Sequence, residues 1–353
     1  MSPPAALSAS LLENLRAVGK SIAVWSSPDG TKVWVMPYGG RVLGLFAPGD
    51  DENFFWTHPA LNAVASAESF YGGEQWHNSG GDRTWLAPEV DFFFPDYPKL
   101  DRYWQQRELD PGAYEISESE GAVNWTNCAA LRVSRTKKTV KLRITKSLAP
   151  ALNPLRYDSP EGLAGVKYAG FTLRSSLAIE SSAPSTYVGL WHLTQMPHGG
   201  DMLVPTFFRS QPKVYMGAIT AEDLIVGEHL VRYKMRAPGE HKLGIRAAAL
   251  AGRAGYLYRN GPETSLVVRN FFVDPSAEYV DTPWLEPQNY GYAFQACNVN
   301  SNLGAFSELE YHVPAIGGET GKIYSEDHSQ LWAFRGSESS IKSIARRLLS
   351  AES

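Results

Sequence analysis

The chain has 353 residues, of which 43% are hydrophobic and 20% are charged, and its formal net charge is −4 at pH 7. This near balance gives no large positive field, which disfavours nucleic acid or an anionic membrane surface as a partner. The two cysteines, Cys128 and Cys297, exclude a disulfide framework or a cysteine-rich zinc site as the organising principle, although one bridge between them is left open.

The start of the sequence shows no pattern of a targeting signal. The first 20 residues contain neither a basic segment followed by an apolar run nor a small-residue cleavage site, and no stretch of about 18 apolar residues follows. We therefore expect a cytoplasmic protein without a membrane span. Because apolar residues are spread evenly and no linker interrupts them, we also expect a single domain over residues 1–353.

The predicted elements begin with a helix at about 10–19, where Ser10–Glu13 forms a capping pattern. Strand periodicity then starts near Ser21. Strands are predicted at 22–25, 32–36, 41–46, 139–148, 171–179, 186–194, 214–219, 265–273 and 307–312, a helix at 61–69, and an amphipathic helix at about 338–350. In 139–148, apolar and polar residues alternate, so we expect its basic residues, Lys146 included, on the solvent side.

The order of these elements determines the predicted fold class. Strands do not alternate with helices, which disfavours a parallel α/β architecture. The sequence therefore predicts an all-β protein, a large antiparallel β-sandwich with short terminal helices. Residues 51–111 are rich in loops, and we expect them to form a layer over one sheet edge.

The densest group of polar and aromatic residues lies between Glu74 and Glu89. There His77, Asp82 and Arg83 lie between two tryptophans, Trp76 and Trp85. Hydrogen-bonding groups beside flat aromatic faces are what a polyol needs. The structural alternative is a turn in which Arg83 pairs with a nearby carboxylate.

Two further segments carry candidate residues. The first holds His192, Gln195 and His198; a lone histidine on an apolar strand is more often a core residue, and the spacing matches no strong metal site. In the second, Glu308, Glu310 and His312 share one strand face. On a solvent face they would be only a charged exterior, whereas partial burial would raise a carboxylate pKa and suit proton transfer.

Four segments, in chain order, resemble the aldose 1-epimerase (galactose mutarotase-like) family, and bacterial members of it in particular. They are Pro37–Gly49, His77–Trp85, Leu190–Asp201 and Leu309–Pro314. The last is similar to the strand that carries the family's catalytic glutamate. The resemblance implies a β-sandwich that holds a sugar on one concave sheet and needs no cofactor; from the spacing of its histidines we expect no metal site either.

The resemblance also implies roles for the candidate residues. Glu310 would be the catalytic base and His192 the acid, with His77 as a reserve acid or a hydrogen-bond donor. The predicted substrate-binding residues are His77, Asp82, Arg83, Trp85, Trp76, Gln195, His198 and Glu308. We expect Glu310, His192 and Arg83 to converge on one concave pocket.

Two other functions remain open at this point. A glycoside hydrolase or polysaccharide lyase could use the same fold, although a glycosidase needs two carboxylates roughly 5 to 10 Å apart across the scissile bond. A non-catalytic carbohydrate-binding protein would keep the aromatic platform. It should tolerate the loss of Glu310 and His192 without losing affinity.

Overall fold

The computed structural model describes residues 8–119, 122–180 and 186–351. Its α-helices are α1 (Ser8–Ala17), α2 (Val64–Tyr71), α3 (Glu89–Phe92) and α4 (Glu338–Leu349). The two predicted terminal helices correspond to α1 and α4, and the predicted helix at 61–69 corresponds to α2 and the short turn before it. Within the described residues, no helix is long and apolar enough to cross a membrane.

Strands make up most of the regular structure. In chain order they are β1 (Ala23–Ser26), β2 (Lys32–Met36), β3 (Arg41–Phe46), β4 (Asp82–Ala87), β5 (Glu115–Ser119), β6 (Ala122–Arg132), β7 (Thr139–Pro150), β8 (Lys167–Ile179), β9 (Gly189–Pro197), β10 (Asp201–Pro205), β11 (Lys213–Met216), β12 (Leu224–Val226), β13 (Leu230–Lys234), β14 (Gly239–Arg246), β15 (Arg253–Asn260), β16 (Glu263–Asn270), β17 (Tyr292–Ser301), β18 (Gly304–His312) and β19 (Tyr324–Gly336). Each predicted strand overlaps one of these. The sequence did not predict β4–β6, β10, β12–β15, β17 or β19.

The strands form two antiparallel sheets. Sheet A has the order β1-β2-β3-β4-β9-β18-β17-β14-β11, and sheet B has the order β12-β13-β10-β15-β16-β19-β8-β7-β6-β5. The sheets face each other: Tyr311 of β18 donates a hydrogen bond to Asp327 of β19 at 2.6 Å. The predicted large antiparallel β-sandwich with short helices at the ends is therefore confirmed.

The interior of the sandwich is mainly apolar, and β7 shows how alternation builds it. Val140, Leu142 and Ile144 are buried against sheet A while the residues between them are exposed. The expectation that Lys146 faces solvent is wrong. Lys146 lies two positions after Ile144, and side chains two positions apart on a strand point to the same face, which here is the buried one. It is fully buried, its Nζ donates to the Gly40 carbonyl at 3.0 Å, and burial lowers the pKa of Lys146 to about 8.

Helices cover parts of the outer faces. Helix α4 buries Ile341, Ile344 and Leu348 against the outer face of sheet B, consistent with its predicted apolar stripe. Helix α1 packs Leu11 and Leu15 over β2 and β3, at one end of sheet A. The middle of sheet A, from β4 to β14, is covered instead by Trp76 and by the segments 88–110 and 281–284, and many polar residues lie beneath them.

Candidate functional site

Strand β4 determines which of the clustered polar residues can meet. Gly80 and Gly81, with φ of 100° and 75°, turn the chain into β4, which pairs along its length with β9. The sequence pattern had suggested a turn here. Because neighbouring side chains on a strand point to opposite faces, Arg83 and Trp85 lie on the outer face of sheet A, while Asp82 points towards sheet B.

The strand register brings other candidates beside Arg83. Antiparallel partners share a face, and the pairs are Arg83 with Leu193, Gln195 with Glu308, Glu310 with Gln295, and Cys297 with Lys242. Glu308, Glu310 and His312 share this face, as strand alternation predicts. We use the name outer-face site for this group, which consists of Arg83, Trp85, Gln195, Lys242, Gln295, Cys297, Glu308, Glu310 and His312.

Aromatic rings frame the outer-face site. The Arg83 guanidinium carbon lies 4.1 Å from the centre of the Trp85 ring and 5.4 Å from that of Trp76. The two indoles are 5.3 Å apart. Further along the face, the ring of His312 stacks on Trp191 at 5.7 Å between centroids. Flat apolar surfaces therefore flank the polar side chains.

Hydrogen bonds hold one oxygen of each central carboxyl group. Arg83 Nη2 and Gln195 Nε2 both donate to Glu308 Oε1, at 2.8 and 2.9 Å. Glu310 Oε2 accepts from Trp191 Nε1 at 2.8 Å and lies 3.4 Å from Lys242 Nζ. Both carboxyl groups are thus fixed in orientation. An amide and a guanidinium hold Glu308, and an indole N–H and an ammonium hold Glu310.

Two covering segments close over the Lys242 end of the site. Glu89, at the start of α3, accepts hydrogen bonds from Tyr103 and Trp284, both at 2.8 Å, and lies 3.2 Å from Lys242 Nζ. Asp281 accepts from the Glu89 backbone N–H at 2.7 Å. The segments are thereby tied to each other and to sheet A, so this end of the site is shielded from water.

Several buried polar atoms on this face have no hydrogen-bond partner among the described residues. They are Arg83 Nε and Nη1, Trp76 Nε1, Gln195 Oε1, Gln295 Oε1, Glu310 Oε1 and both ring nitrogens of His312. An unsatisfied buried polar group costs about 1–3 kcal/mol, so native proteins keep few of them. These unpartnered donors and acceptors are concentrated on one face of sheet A.

The electrostatics of the site favour proton exchange at Glu310. Burial raises the pKa of Glu310 to about 8, with Lys242 opposing and Glu308 reinforcing the shift. Burial alone would lower the pKa of Lys242, but Glu310 and Glu89 together raise it above its ordinary value. Lys242 therefore stays charged, while Glu310 gains and loses a proton near neutral pH.

This shift predicts a pH dependence of stability. A carboxyl group that binds its proton more tightly in the folded state stabilises the fold at low pH, and that contribution is lost as pH rises from the unfolded value towards 8. Between pH 6.5 and 8 the loss should be about 2 kcal/mol. Thermal unfolding of Glu310→Gln should show less destabilisation over this interval than the wild type, and an equal loss in both proteins would contradict the raised pKa.

His192 does not join the site, and the expected convergence of His192 with Glu310 and Arg83 is wrong. It is fully buried between the sheets, where its ring nitrogens contact Thr84 Oγ1 at 3.1 Å and Ser175 Oγ at 3.2 Å. The side chains of the neighbouring Trp191 and Leu193 lie on the outer face of sheet A, because successive side chains on a strand point to opposite faces. Burial holds the pKa of His192 well below its ordinary value.

His192 is therefore expected to matter for stability rather than for binding. Replacing it by leucine leaves the Thr84 and Ser175 hydroxyls without this partner, and each lost hydrogen bond costs about 1 kcal/mol. We expect His192→Leu to unfold at lower denaturant concentration but to bind ligand at the outer-face site as the wild type does. A folded variant that no longer binds would contradict this assignment.

Asp82 is also a structural residue rather than a ligand-facing one. It forms an ion pair with Arg269 of β16, and both side chains are fully buried between the sheets. Thr194 Oγ1 donates to Asp82 Oδ2 at 2.7 Å. The prediction that Asp82 lines the site is wrong because it is one position out of phase with Arg83.

The two remaining predicted histidines lie elsewhere. His77 Nδ1 is 2.6 Å from the Tyr38 hydroxyl, and its ring packs against Tyr71 at 5.5 Å, in an aromatic cluster beside α2. His198 lies after β9 and contacts Asn298 Oδ1 at 3.0 Å. Neither contacts the Glu308–Glu310 strand face, although Trp76, next to His77, does pack against Arg83.

Sequence reasoning missed several members of the site. Lys242, Gln295 and Cys297 lie on β14 and β17, which showed no clear strand pattern, and Asp281 lies in an irregular segment. Potential metal-ligating atoms of Cys297, Glu308 and Glu310 lie within 4.8 Å of one another. Arg83 and Lys242 already pair with these two carboxyl groups, so their charge is partly neutralised by the protein itself.

No curated protein matches the chain in sequence. Among solved structures, it is similar to the GalM/aldose epimerase homologue from C. elegans, at 7% identity and a TM-score of 0.40 over 90% of this chain and 100% of that chain. It is also similar to galactose 1-epimerase from Lactobacillus acidophilus NCFM, at 9% identity and a TM-score of 0.39 over 90% and 95% of the two chains. One family model matches residues 10–352, nearly the whole sequence, and the chain therefore belongs to that family, described as Family of unknown function (DUF6786).

Proposed function

We propose that this protein binds a carbohydrate at the outer-face site and interconverts its anomers by acid–base catalysis. The observation that carries the proposal is the set of buried, unpartnered donors and acceptors beside Trp85 and Trp76. Each sugar hydroxyl both donates and accepts, and the C–H face of a sugar ring packs on an indole. A polyol thus satisfies both kinds of surface at once.

Glu310 is the proposed base. Trp191 and Lys242 hold its Oε2, whereas its buried Oε1 has no partner among the described residues. In mutarotation a base removes the proton of the anomeric hydroxyl and an acid protonates the ring oxygen, after which the ring opens, turns about C1–C2 and recloses. The resemblance of Leu309–Pro314 to the glutamate-bearing strand of aldose 1-epimerases supports the same role.

His312 replaces His192 as the proposed partner of Glu310. It lies two residues further along β18, so its side chain emerges on the same face about 7 Å away. Burial keeps the pKa of His312 well below its ordinary value, and its ring is therefore neutral, with one nitrogen that donates and one that accepts. Such a ring gives a proton to the ring oxygen through one nitrogen only as its other nitrogen takes one from a sugar hydroxyl or a water molecule, so it stays neutral throughout.

The test is NMR of the purified protein with freshly dissolved α-glucose, α-galactose and a small panel of oligosaccharides. We expect the α-to-β conversion of at least one sugar to run faster than in buffer alone. Shifts of sugar signals without faster conversion would indicate a non-catalytic binding protein, and cleaved oligosaccharides would indicate a hydrolase or lyase. If no sugar binds or reacts, the proposal is wrong.

A further inference from the structure

The ammonium of Lys242 is shared between two carboxyl groups at one end of the outer-face site. Its Nζ donates a hydrogen bond to Glu89 Oε2 at 3.2 Å and lies 3.4 Å from Glu310 Oε2. It also lies 4.3 Å from the centre of the Trp191 ring. The side chains of Lys242, Glu89 and Glu310 are all at most 5% exposed, so solvent screens their charges weakly.

Glu89 is held more tightly by its neighbours than Glu310 is. Its Oε1 accepts a hydrogen bond from Tyr103, and its Oε2 accepts from Trp284 and Lys242. All three neighbours donate, so Glu89 is an ionised acceptor. By contrast, Glu310 Oε1 has no partner among the described residues, and Oε2 lies further from Lys242 than Glu89 does. Glu89 therefore competes with Glu310 for the ammonium.

Three other titratable groups near Glu310 and Lys242 carry no charge near pH 7. They are His312 on β18, Cys297 on β17 and Tyr103 on a covering segment. Burial lowers the pKa of the histidine and raises the pKa of the thiol and of the phenol, in each case well beyond the ordinary value. These three groups therefore do not decide the charge of Glu310.

The other charged groups nearby already have partners. Arg83 on β4 and Glu308 on β18 pair with each other at 2.8 Å. Asp281 accepts hydrogen bonds from the backbone N–H of Glu89 and from a side chain of sheet A. The two charges that remain are the shared ammonium and the Glu89 carboxylate, and they act on Glu310 in opposite directions.

We propose that Lys242 is a positioning residue shared between Glu89 and Glu310, and that Glu89 thereby controls how readily Glu310 takes up and releases its proton. This inference rests on the proposed function, in which Glu310 is the base. A carboxylate paired exclusively with a buried ammonium holds its charge and is a weak base, whereas one buried without a cation stays protonated. Because Glu89 takes part of the Lys242 charge, Glu310 lies between these limits, where a base works best near neutral pH.

The test compares variants that remove opposite charges beside Glu310. Glu310 is observed by carbon NMR of the full chain labelled at the glutamate carboxyl carbons, as the signal that is absent in Glu310→Gln. Lys242→Met should raise the pH midpoint of this signal by about 1–3 units, and Glu89→Gln should lower it by about 1 unit. Entry of water into a damaged site would lower the midpoint in both variants, so a rise in Lys242→Met cannot come from lost packing.

Three controls separate charge from packing. Lys242→Arg keeps the charge and should keep the midpoint nearer to that of the wild type than Lys242→Met does. Tyr103→Phe removes one donor to Glu89 without changing a charge, and Glu326→Gln removes a carboxylate on an exposed part of β19; both should leave the midpoint unchanged. If Lys242→Met does not fold, a lowered midpoint in Glu89→Gln that is absent in Tyr103→Phe still supports the sharing, and an unchanged midpoint in Glu89→Gln overturns it.

The same variants should move the pH profile of anomer exchange. The rise in kcat/KM should occur at higher pH in Lys242→Met and at lower pH in Glu89→Gln. Unchanged midpoints, or a shift of both in one direction, would overturn this inference, while exchange by the wild type would leave the proposed function intact. Opposite shifts in a protein that exchanges no sugar would overturn the proposed function and leave the sharing of Lys242 intact.

Discussion

Replacing Asp82 by alanine is expected to lower the free energy of unfolding by about 3–5 kcal/mol, the usual result of breaking a buried ion pair. Asp82 and Arg269 are both fully buried between the sheets, so the substitution leaves a guanidinium without its countercharge and without contact with water. Denaturant unfolding followed by tryptophan fluorescence measures the change.

The control for Asp82 is an exposed ion pair. Asp96 and Arg102 keep 52% and 63% of their side-chain surface, and Asp96→Ala should change stability by less than about 1 kcal/mol. The double variant Asp82→Ala with Arg269→Met should recover much of the loss, because it removes the unpaired charge. A single Asp82→Ala variant as stable as the wild type would show that the pair does not join the sheets.

Replacing Glu310 by glutamine is expected to reduce catalysed anomer exchange by about 10²- to 10⁴-fold, the range for loss of a positioned acid–base group. Glutamine keeps the size of the side chain and can still accept from Trp191, so sugar binding should persist. NMR exchange rates, measured beside calorimetric affinities, separate the two effects. An active Glu310→Gln variant would show that another group transfers the proton.

The pH profile gives a second signature of Glu310. Because its pKa is raised to about 8, only half of the base is ionised at that pH, so kcat/KM for exchange should rise with pH up to 8 and level off above it. Residual activity of Glu310→Gln should lack this rise. As a control, Glu326→Gln should follow the wild-type profile. A wild-type rate that is constant between pH 6 and 8 would contradict the role of Glu310.

The fold class could be predicted because periodicity is local. Strand alternation in β7 and the apolar stripe of α4 are visible within about 12 residues, and they do not depend on distant parts of the chain. The error at Lys146 arose within the same pattern. We expected Lys146 on the solvent face because lysine is charged. Its position in the alternation places it on the buried face instead, where the Gly40 carbonyl and the Trp125 ring contact its ammonium.

The site was harder to predict because it depends on register. Arg83 and Glu308 are 225 residues apart and meet only because β4, β9 and β18 are neighbours in sheet A. A shift by one position moves a side chain to the opposite face, which is why Asp82 and His192 point away from the site. The same alternation, applied within β18 alone, did place Glu308, Glu310 and His312 together.

The central claim is that a sugar binds on the outer face of sheet A within reach of Glu310. A crystal structure of the protein with the sugar that binds most tightly tests this claim most directly. We predict a sugar ring packed on Trp85 or Trp76, with a ring or anomeric oxygen about 2.6–3.2 Å from Glu310 Oε1. A sugar bound elsewhere, with Arg83 and Glu310 free of contacts to it, would contradict the account.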